Sequence, residues 1–399
     1  MDAVHSLERQ HLRTELNRKY YCLFIFFTIA MKFIVVFAIL TGFGVIKCET
    51  GSILSHDKVV VCSVFSEPSP GFFDSFGNKF KIGNVDLNLC THLVYIHMIS
   101  YVFEKPWDST DNFSDEKYKQ IASLKKKFPH LKISLGFQNS PAEYLKISSR
   151  RESRHRFVTS AVSFILRFDF DGLNLIWSYE NDEPFGKKRF GLLVRELKEG
   201  FKPKNLLLSF TFFKSRNFAV PHGFLAMSNN VDFLNVHPNF TENLIKSGVP
   251  KSKIVMTIEF NGRGNFGYYS ACGLLSKDEG WEKYYDSKIG ATVATRSIGN
   301  GQTKKIIFPC SSRSVANTVR HAVRRDVSGV MAYTIDSDDS QGKCGFDDDT
   351  FNDFGSTKGV TLHIPTREND TFPLLRTING AIAVAIEELK QEEHLRKSR

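Results

Sequence analysis

The chain has 399 residues, 42% of them hydrophobic, with a formal net charge of +10 and a mean hydropathy of −0.22. That is enough apolar material for one large barrel or two to three smaller domains. No Lys/Arg block interleaved with aromatics occurs, so the basic balance does not mark a nucleic-acid-binding protein. Residues 20–46 are almost wholly apolar, interrupted by Lys32 and preceded by Arg9, Arg13, Arg18 and Lys19. Met31-Lys32 and the apolar residues 33–44 read as a secretory signal, with Ile46-Lys47-Cys48 as the cleavage region and 1–30 as an upstream extension. The competing reading is a signal-anchor helix, against which Lys32 counts because a mid-run charge is costly in a bilayer. Either way residues 49–399 lie outside the cytosol, and without the six basic and three acidic residues of 1–48 the charge falls from +10 to +7.

From Lys58 the pattern alternates strand, connection and helix, which argues for an α/β barrel and against a sandwich. The first strand is Lys58–Phe65, followed by a Pro- and Gly-rich loop at 67–83 and a short helix at Asp86–Leu89. Thr91–Ile99 is the second strand, Ser114–Phe128 a helix with Ser114 as N-cap, and Leu131–Phe137 the third strand. Glu152–Phe168 reads as a helix running into the fourth strand, and Pro184–Gly200 as a helix begun by Pro and stopped by Gly. Asn205–Phe212, Val231–Val236, Ser252–Phe260 and Val327–Thr334 complete eight strands, and Leu374–Leu389 closes the chain as a helix with a frayed polar tail. Arg320, Arg324 and Arg325 form the densest basic spot and read as a solvated helix face.

The fourth strand organises the reading. Phe168-Asp-Phe-Asp-Gly-Leu-Asn-Leu-Ile-Trp-Ser-Tyr-Glu180 enters through Gly172 and then runs through Leu, Ile and aromatic residues. Alternation puts Asn174, Ile176 and Ser178 on one face and Leu173, Leu175 and Trp177 on the other.

This stretch resembles the active-site strand of glycoside hydrolase family 18, the chitinases, with the pattern Asp-Gly-x-Asp-x-Asp-Trp-Glu-Tyr-Pro. Asp171, Gly172, Trp177 and Tyr179 match it; Asn174, Ile176, Ser178 and Glu180 do not. Cys90-Thr-His-Leu-Val-Tyr95, Val231-Asp-Phe-Leu-Asn-Val236 and Gly248-Val-Pro-Lys-Ser-Lys-Ile-Val-Met256 are similar to further family segments in the same order. The resemblance therefore runs from about Lys58 to Leu389 and implies a (β/α)8 TIM barrel over 49–399. The inserted α+β domain usual between strands seven and eight is largely missing, because 261–267 leads almost directly to Tyr268.

The resemblance implies that position 178 would carry the catalytic acid, position 176 the carboxylate that orients the substrate acetamide, and position 174 its support. A serine hydroxyl is no general acid near neutral pH, and isoleucine offers no charge. Glu180 has the right parity but lies two residues on, about 6.6 Å along the strand, too far for chemistry sensitive to misplacements of about 1 Å. The expected product is a secreted, inactive chitinase-like protein that binds chitin, another amino-sugar glycan or a protein partner. A residually active amino-sugar hydrolase and an interaction scaffold without sugar binding stay open beside it.

By resemblance the ligand would meet Phe65, His97, Trp177, Ser178, His237, Asn239 and Tyr333, with Tyr333 at the position of a sugar-stacking Trp. His97 and His237 lack metal-ligand spacing and read as hydrogen-bonded pocket residues, so neither a metal nor a cofactor is expected. The resemblance pairs Cys62 with Cys90 and Cys272 with Cys344, leaving Cys310 odd among the five cysteines of residues 49–399. Asn112, Asn239 and Asn369 lie in glycosylation sequons, and a glycan on Asn239 would sit at the cleft mouth. No stable membrane association is expected once the leader is removed.

Overall fold

The structure is a computed structural model. It describes residues 56–65, 80–98, 112–178, 189–213, 224–260, 268, 280–288, 290–300, 302–308, 311–342 and 371–398. The leader, Glu180, Cys272, Cys310, Cys344 and Asn369 lie outside them.

Eight parallel strands close into a barrel: β1 (Val59–Phe65), β2 (His92–Met98), β3 (Lys132–Asn139), β4 (Gly172–Ser178), β5 (Leu207–Phe213), β6 (Phe233–Val236), β7 (Ile254–Glu259) and β11 (Gly329–Tyr333). Around them run α1 (Asn112–Lys127), α2 (Pro141–Ser149), α3 (Arg151–Arg167), α4 (Arg189–Phe201), α5 (Phe224–Ser228), α6 (Pro238–Lys246), α7 (Ser312–Arg324) and α8 (Pro373–Lys397). Alternation along each strand separates two apolar cores. Leu173, Leu175, Trp177, Phe210, Phe212 and their counterparts pack outward against the helices. Val61, Val94, Ile96, Ile176, Phe233, Val255 and Met331 form a separate cluster inside the lumen, with Phe65 and Tyr333 packed against it.

The entrances to the strands explain much of the closure. Asp169, Asn205 and Asp326, at φ 57°, 53° and 56°, turn the chain from the helical layer back toward the next strand; Asp and Asn tolerate this left-handed conformation better than other non-glycine residues. The Asp171 carboxylate then accepts from Ile133 N on β3 at 2.8 Å and meets Lys125 and Lys132. Asp232 repeats the device, accepting from Leu208 N at 2.8 Å and pairing with Lys198 at 2.6 Å. Gly172 and Gly329 are needed for contact rather than for φ. A Cβ on them would lie 2.2 Å from Leu207 O and 1.8 Å from Val59 O.

Between β7 and β11 the described chain forms a three-stranded antiparallel sheet, β8 (Glu282–Asp286), β9 (Ala291–Ser297) and β10 (Thr303–Phe308), in the order β10-β9-β8. The reduced insertion thus keeps a sheet of its own. It meets α7 through Asn317 Nδ2, which donates to Tyr285 Oη at 2.8 Å, and through Thr292 Oγ1, which donates to Ser311 Oγ at 2.8 Å. Its edge strands carry Glu282, Lys283, Lys304 and Lys305, charges that discourage edge pairing and hide the strand pattern in the sequence.

Several sequence expectations need correction. Ser114 does not cap α1, which already includes Asn112. The expected long helix before β4 is preceded by a second one, α2, whose cap is Ser140: its Oγ accepts from Glu143 N at 3.2 Å, and Pro141 stands first in the helix. Gly200 lies inside α4, and the chain leaves helical geometry only at Asn205. The polar tail after Leu389 continues as helix to Lys397. Arg320, Arg324 and Arg325 are partly to largely exposed on the helix face, as expected, and each is also ion-paired. Arg320 pairs with Glu388, Arg324 with Glu392 at 2.5 Å, and Arg325 with Glu242 at 2.8 Å, tying α7 to α8 and α6.

Candidate functional site

The lumen of the barrel combines an apolar plug with a polar network. Asn174 is fully buried; its Nδ2 donates to Ser209 Oγ at 2.6 Å and its Oδ1 accepts from Thr211 Oγ1 at 2.8 Å. Thr211 Oγ1 in turn accepts from Asn235 Nδ2 at 2.9 Å. Because the threonine proton is already committed to Asn174, the amide of Asn235 is oriented, and its Oδ1 is left without a protein partner. One register layer above Asn174, Ile176 stands beside Gln138 and Thr211. It is fully buried in the lumen cluster with Val94, Ile96, Val255 and Met331.

At the base of the lumen, His92 meets the Phe233 ring edge-on at 5.3 Å, and its Nδ1 lies 2.8 Å from Thr91 Oγ1. Burial lowers its pKa to about 4, so it is neutral under ordinary conditions. Toward the C-terminal ends of the strands, Phe65 and Tyr333 meet in a T-shaped contact at 6.0 Å. Tyr333 pairs in register with Glu259, which shares the lumen face of β7 with Val255 and Thr257. The Glu259 carboxyl is raised above the usual range by loss of solvent around it. Asp336, just past β11, is buried and raised to about 6 for the same reason, against hydrogen bonds from Thr334 and the Phe65 backbone.

The residues expected to line the site divide accordingly. Phe65 and Tyr333 are brought together at the mouth. Trp177 is not: it is 2% exposed in the outer core, stacked on Tyr144 at 4.9 Å and edge-on to Phe190 at 4.8 Å. The odd parity of position 177 turns it away from the lumen that Asn174 and Ile176 face. His97 and Ser178 hold strand positions opposite Phe137 and Phe213, with their side chains outside the described residues. His237 caps α6, its Nδ1 accepting from Asn239 N at 3.2 Å. Asn239 is exposed in the first turn of that helix. Among the described residues no group of His, Cys, Asp and Glu side chains is arranged to hold a metal ion. Cys62 and Cys90 are disulfide-bonded, with Cα atoms 5.9 Å apart, joining β1 to the segment that enters β2.

The model of the family described as glycosyl hydrolases family 18 matches residues 69–338. The chain belongs to this family. "Probable chitinase 2" of Drosophila melanogaster is 30% identical, over 87% of this chain and 85% of the relative. The family-18 fold is seen again in the group IV chitinase of Ostrinia furnacalis, with a TM-score of 0.65 at 23% identity over 82% of this chain and all of that one. Human YKL-39, described as a pseudo-chitinase with retained chitooligosaccharide binding, gives a TM-score of 0.62 at 19% identity, with 82% and 100% covered.

Glu259, Thr257, Asn235, Gln138 and His92 were missed by sequence reasoning. Strand parity alone would have found them, once the lumen face of each strand was set by the buried run on the other face. Glu259 carries the clearest signal: a carboxylate at the C-terminal end of a barrel strand, where sites of this fold are built.

Proposed function

We propose that this chain is a secreted family 18 protein without glycosidase activity, and that its barrel mouth binds an amino-sugar glycan. The observation that carries the reading is Ile176. At the position where the resemblance calls for a carboxylate beside the substrate acetamide, a fully buried isoleucine packs into an apolar cluster. No developing positive charge is met there, and Ser178 supplies no acid at the next lumen-facing position. Loss of acid catalysis alone removes about 10²–10⁴-fold, and loss of the electrostatic partner compounds it. Among the described residues no helix is long and apolar enough to cross a membrane; removal of the leader by cleavage would leave 49–399 free.

Binding is the function left to the mouth. Phe65 and Tyr333 offer ring faces and edges to a sugar, and YKL-39 is a protein of this fold described as binding chitooligosaccharides after losing catalysis. The test has two parts. A chromogenic chitooligosaccharide should give no turnover above background, and turnover at a chitinase-like rate would overturn the inactive reading. Calorimetric titration with chitooligosaccharide and glucosamine oligomers should give saturable binding to at least one of them. Silence toward every amino-sugar ligand would favour a protein-binding scaffold, which the small number of aromatic platforms at the mouth would then explain.

A further inference from the structure

The lumen leaves several buried polar atoms without protein partners. Gln138 Oε1 and Asn235 Oδ1 are buried acceptors, and Thr257 Oγ1 is a buried hydroxyl. Asn235 is 0% and Thr257 2% exposed. The Asn235 assignment does not rest on an arbitrary amide orientation, since its Nδ2 is spent on Thr211. Directly beyond Thr257 on the same face of β7 stands Glu259, at the C-terminal end of the strand and without an ion pair among the described residues. A ligand completing this set must bring donors and positive charge.

An acetamide is poorly matched to such a lining. Its carbonyl needs a donor, which neither Asn235 Oδ1 nor the Glu259 carboxylate supplies. The family's partner for the acetamide has become Ile176, walled by Val94, Ile96 and Met331. A primary ammonium carries three donors and a charge, which suit the Thr257 hydroxyl and the Glu259 carboxylate on one face of β7. Charge-assisted hydrogen bonds of this kind are about twice as strong as neutral ones.

We propose that the barrel mouth selects amino sugars whose 2-nitrogen is a free, protonated amine, as in glucosamine units of deacetylated chitin, over their N-acetylated counterparts. This rests on the glycan-binding reading of the same mouth and names its ligand class. Non-specific adhesion of a polycation is not the explanation on offer, because the chain itself carries +10.

The test is calorimetry on the full chain with three probes at mildly acidic pH: glucosamine hexamer, N-acetylglucosamine hexamer and hexalysine. Glucosamine hexamer should bind about tenfold or more tightly than the other two. Glu259→Gln should abolish that preference by weakening the glucosamine hexamer about tenfold or more. Thr257→Val, with circular dichroism confirming the fold of both variants, should weaken the glucosamine hexamer. Equal or tighter binding of the N-acetylated hexamer would overturn the amine selectivity and leave the glycan reading standing. Hexalysine binding as well as glucosamine would show a site that reads bare charge. Failure of both sugars would sink the glycan reading and this inference together, and a preference that survives Glu259→Gln would remove the residue on which it is built.

Discussion

Placing a carboxylate at position 176, where the family resemblance calls for one, should damage the fold more than it helps the chemistry. Ile176 is fully buried, and Val94, Ile96, Val255, Met331, Phe65 and Tyr333 are its cluster partners. Ile176→Asp removes the apolar burial of most of the side chain, a loss of about 1.5–3 kcal/mol. It also buries a carboxyl whose polar atoms meet mostly hydrocarbon, at about 1–3 kcal/mol even when protonated. The expected destabilisation is therefore about 3–6 kcal/mol at acidic pH, against about 1 kcal/mol for Ile176→Val. The new carboxyl should have a raised pKa, so the deficit grows with pH by up to about 1.4 kcal/mol per unit until it ionises in the folded state or the barrel opens. Urea denaturation of the parent and both variants at pH 5 and pH 8 measures this. A loss below 1 kcal/mol for Ile176→Asp, or one independent of pH, would show that the lumen holds water and polar partners enough for a charge, and the apolar-plug argument would fail.

Ser178→Glu alone should give no measurable chitooligosaccharide hydrolysis, because Ile176 still offers the intermediate no charge; turnover well above the parent would refute this. Replacing Cys62 and Cys90 together by Ser should cost about 3–4 kcal/mol from the loop closed across 28 residues, read by denaturation. Non-reducing peptide mapping should find Cys272 joined to Cys344 and Cys310 unpaired with either. Glu388→Gln, which strips a nearly buried partner from Arg320 and Arg324, should cost about 2–4 kcal/mol. Its more exposed neighbour in Glu392→Gln should cost less than about 1 kcal/mol; equal losses would refute the clamp. Asp336 has a folded pKa of about 6, above its unfolded value of about 3.9. Its contribution is therefore fully present below about pH 4 and lost as pH rises through 6, so parent stability should fall relative to Asp336→Asn between pH 4 and pH 8.

The eight strands could be read from the chain because each buries one face in the outer core, giving runs such as Leu173, Leu175 and Trp177 at period two. Their limits slipped by one or two residues wherever an Asp or Asn in the left-handed region, and not a glycine, ended the preceding helix, as at Asn205. Helix α7 was read only from its basic face at Arg320, Arg324 and Arg325, although Val315, Val319, Ala322 and Val323 also have helical spacing. Ser311 and Ser314 form its reciprocal cap, and a Ser in place of the usual Glu or Gln at the third position hid it. In the site, motif comparison identified Ile176, because a carboxylate was expected there. It also misled at Trp177, which matches the motif for reasons of outer-core packing. Glu259 and the orphaned acceptors were invisible to that comparison, since they answer to no position in it.

Asp171 and Gly172 have a meaning beyond their place in the motif. The carboxylate holds the backbone of β3, and the glycine lets β4 pass against the carbonyl of Leu207. Both act at the closed end of the barrel, at the opposite end of the strand from Ser178. The familiar signature is thus two signatures written on one strand, a mechanical one at its start and a chemical one along its lumen face. In this chain the first is present, while the lumen face carries Asn174, Ile176 and Ser178 where the resembled motif has acids. A survey that scores partial matches to the whole would rank such a protein as half an enzyme. Scored separately, it is a complete barrel with a different interior.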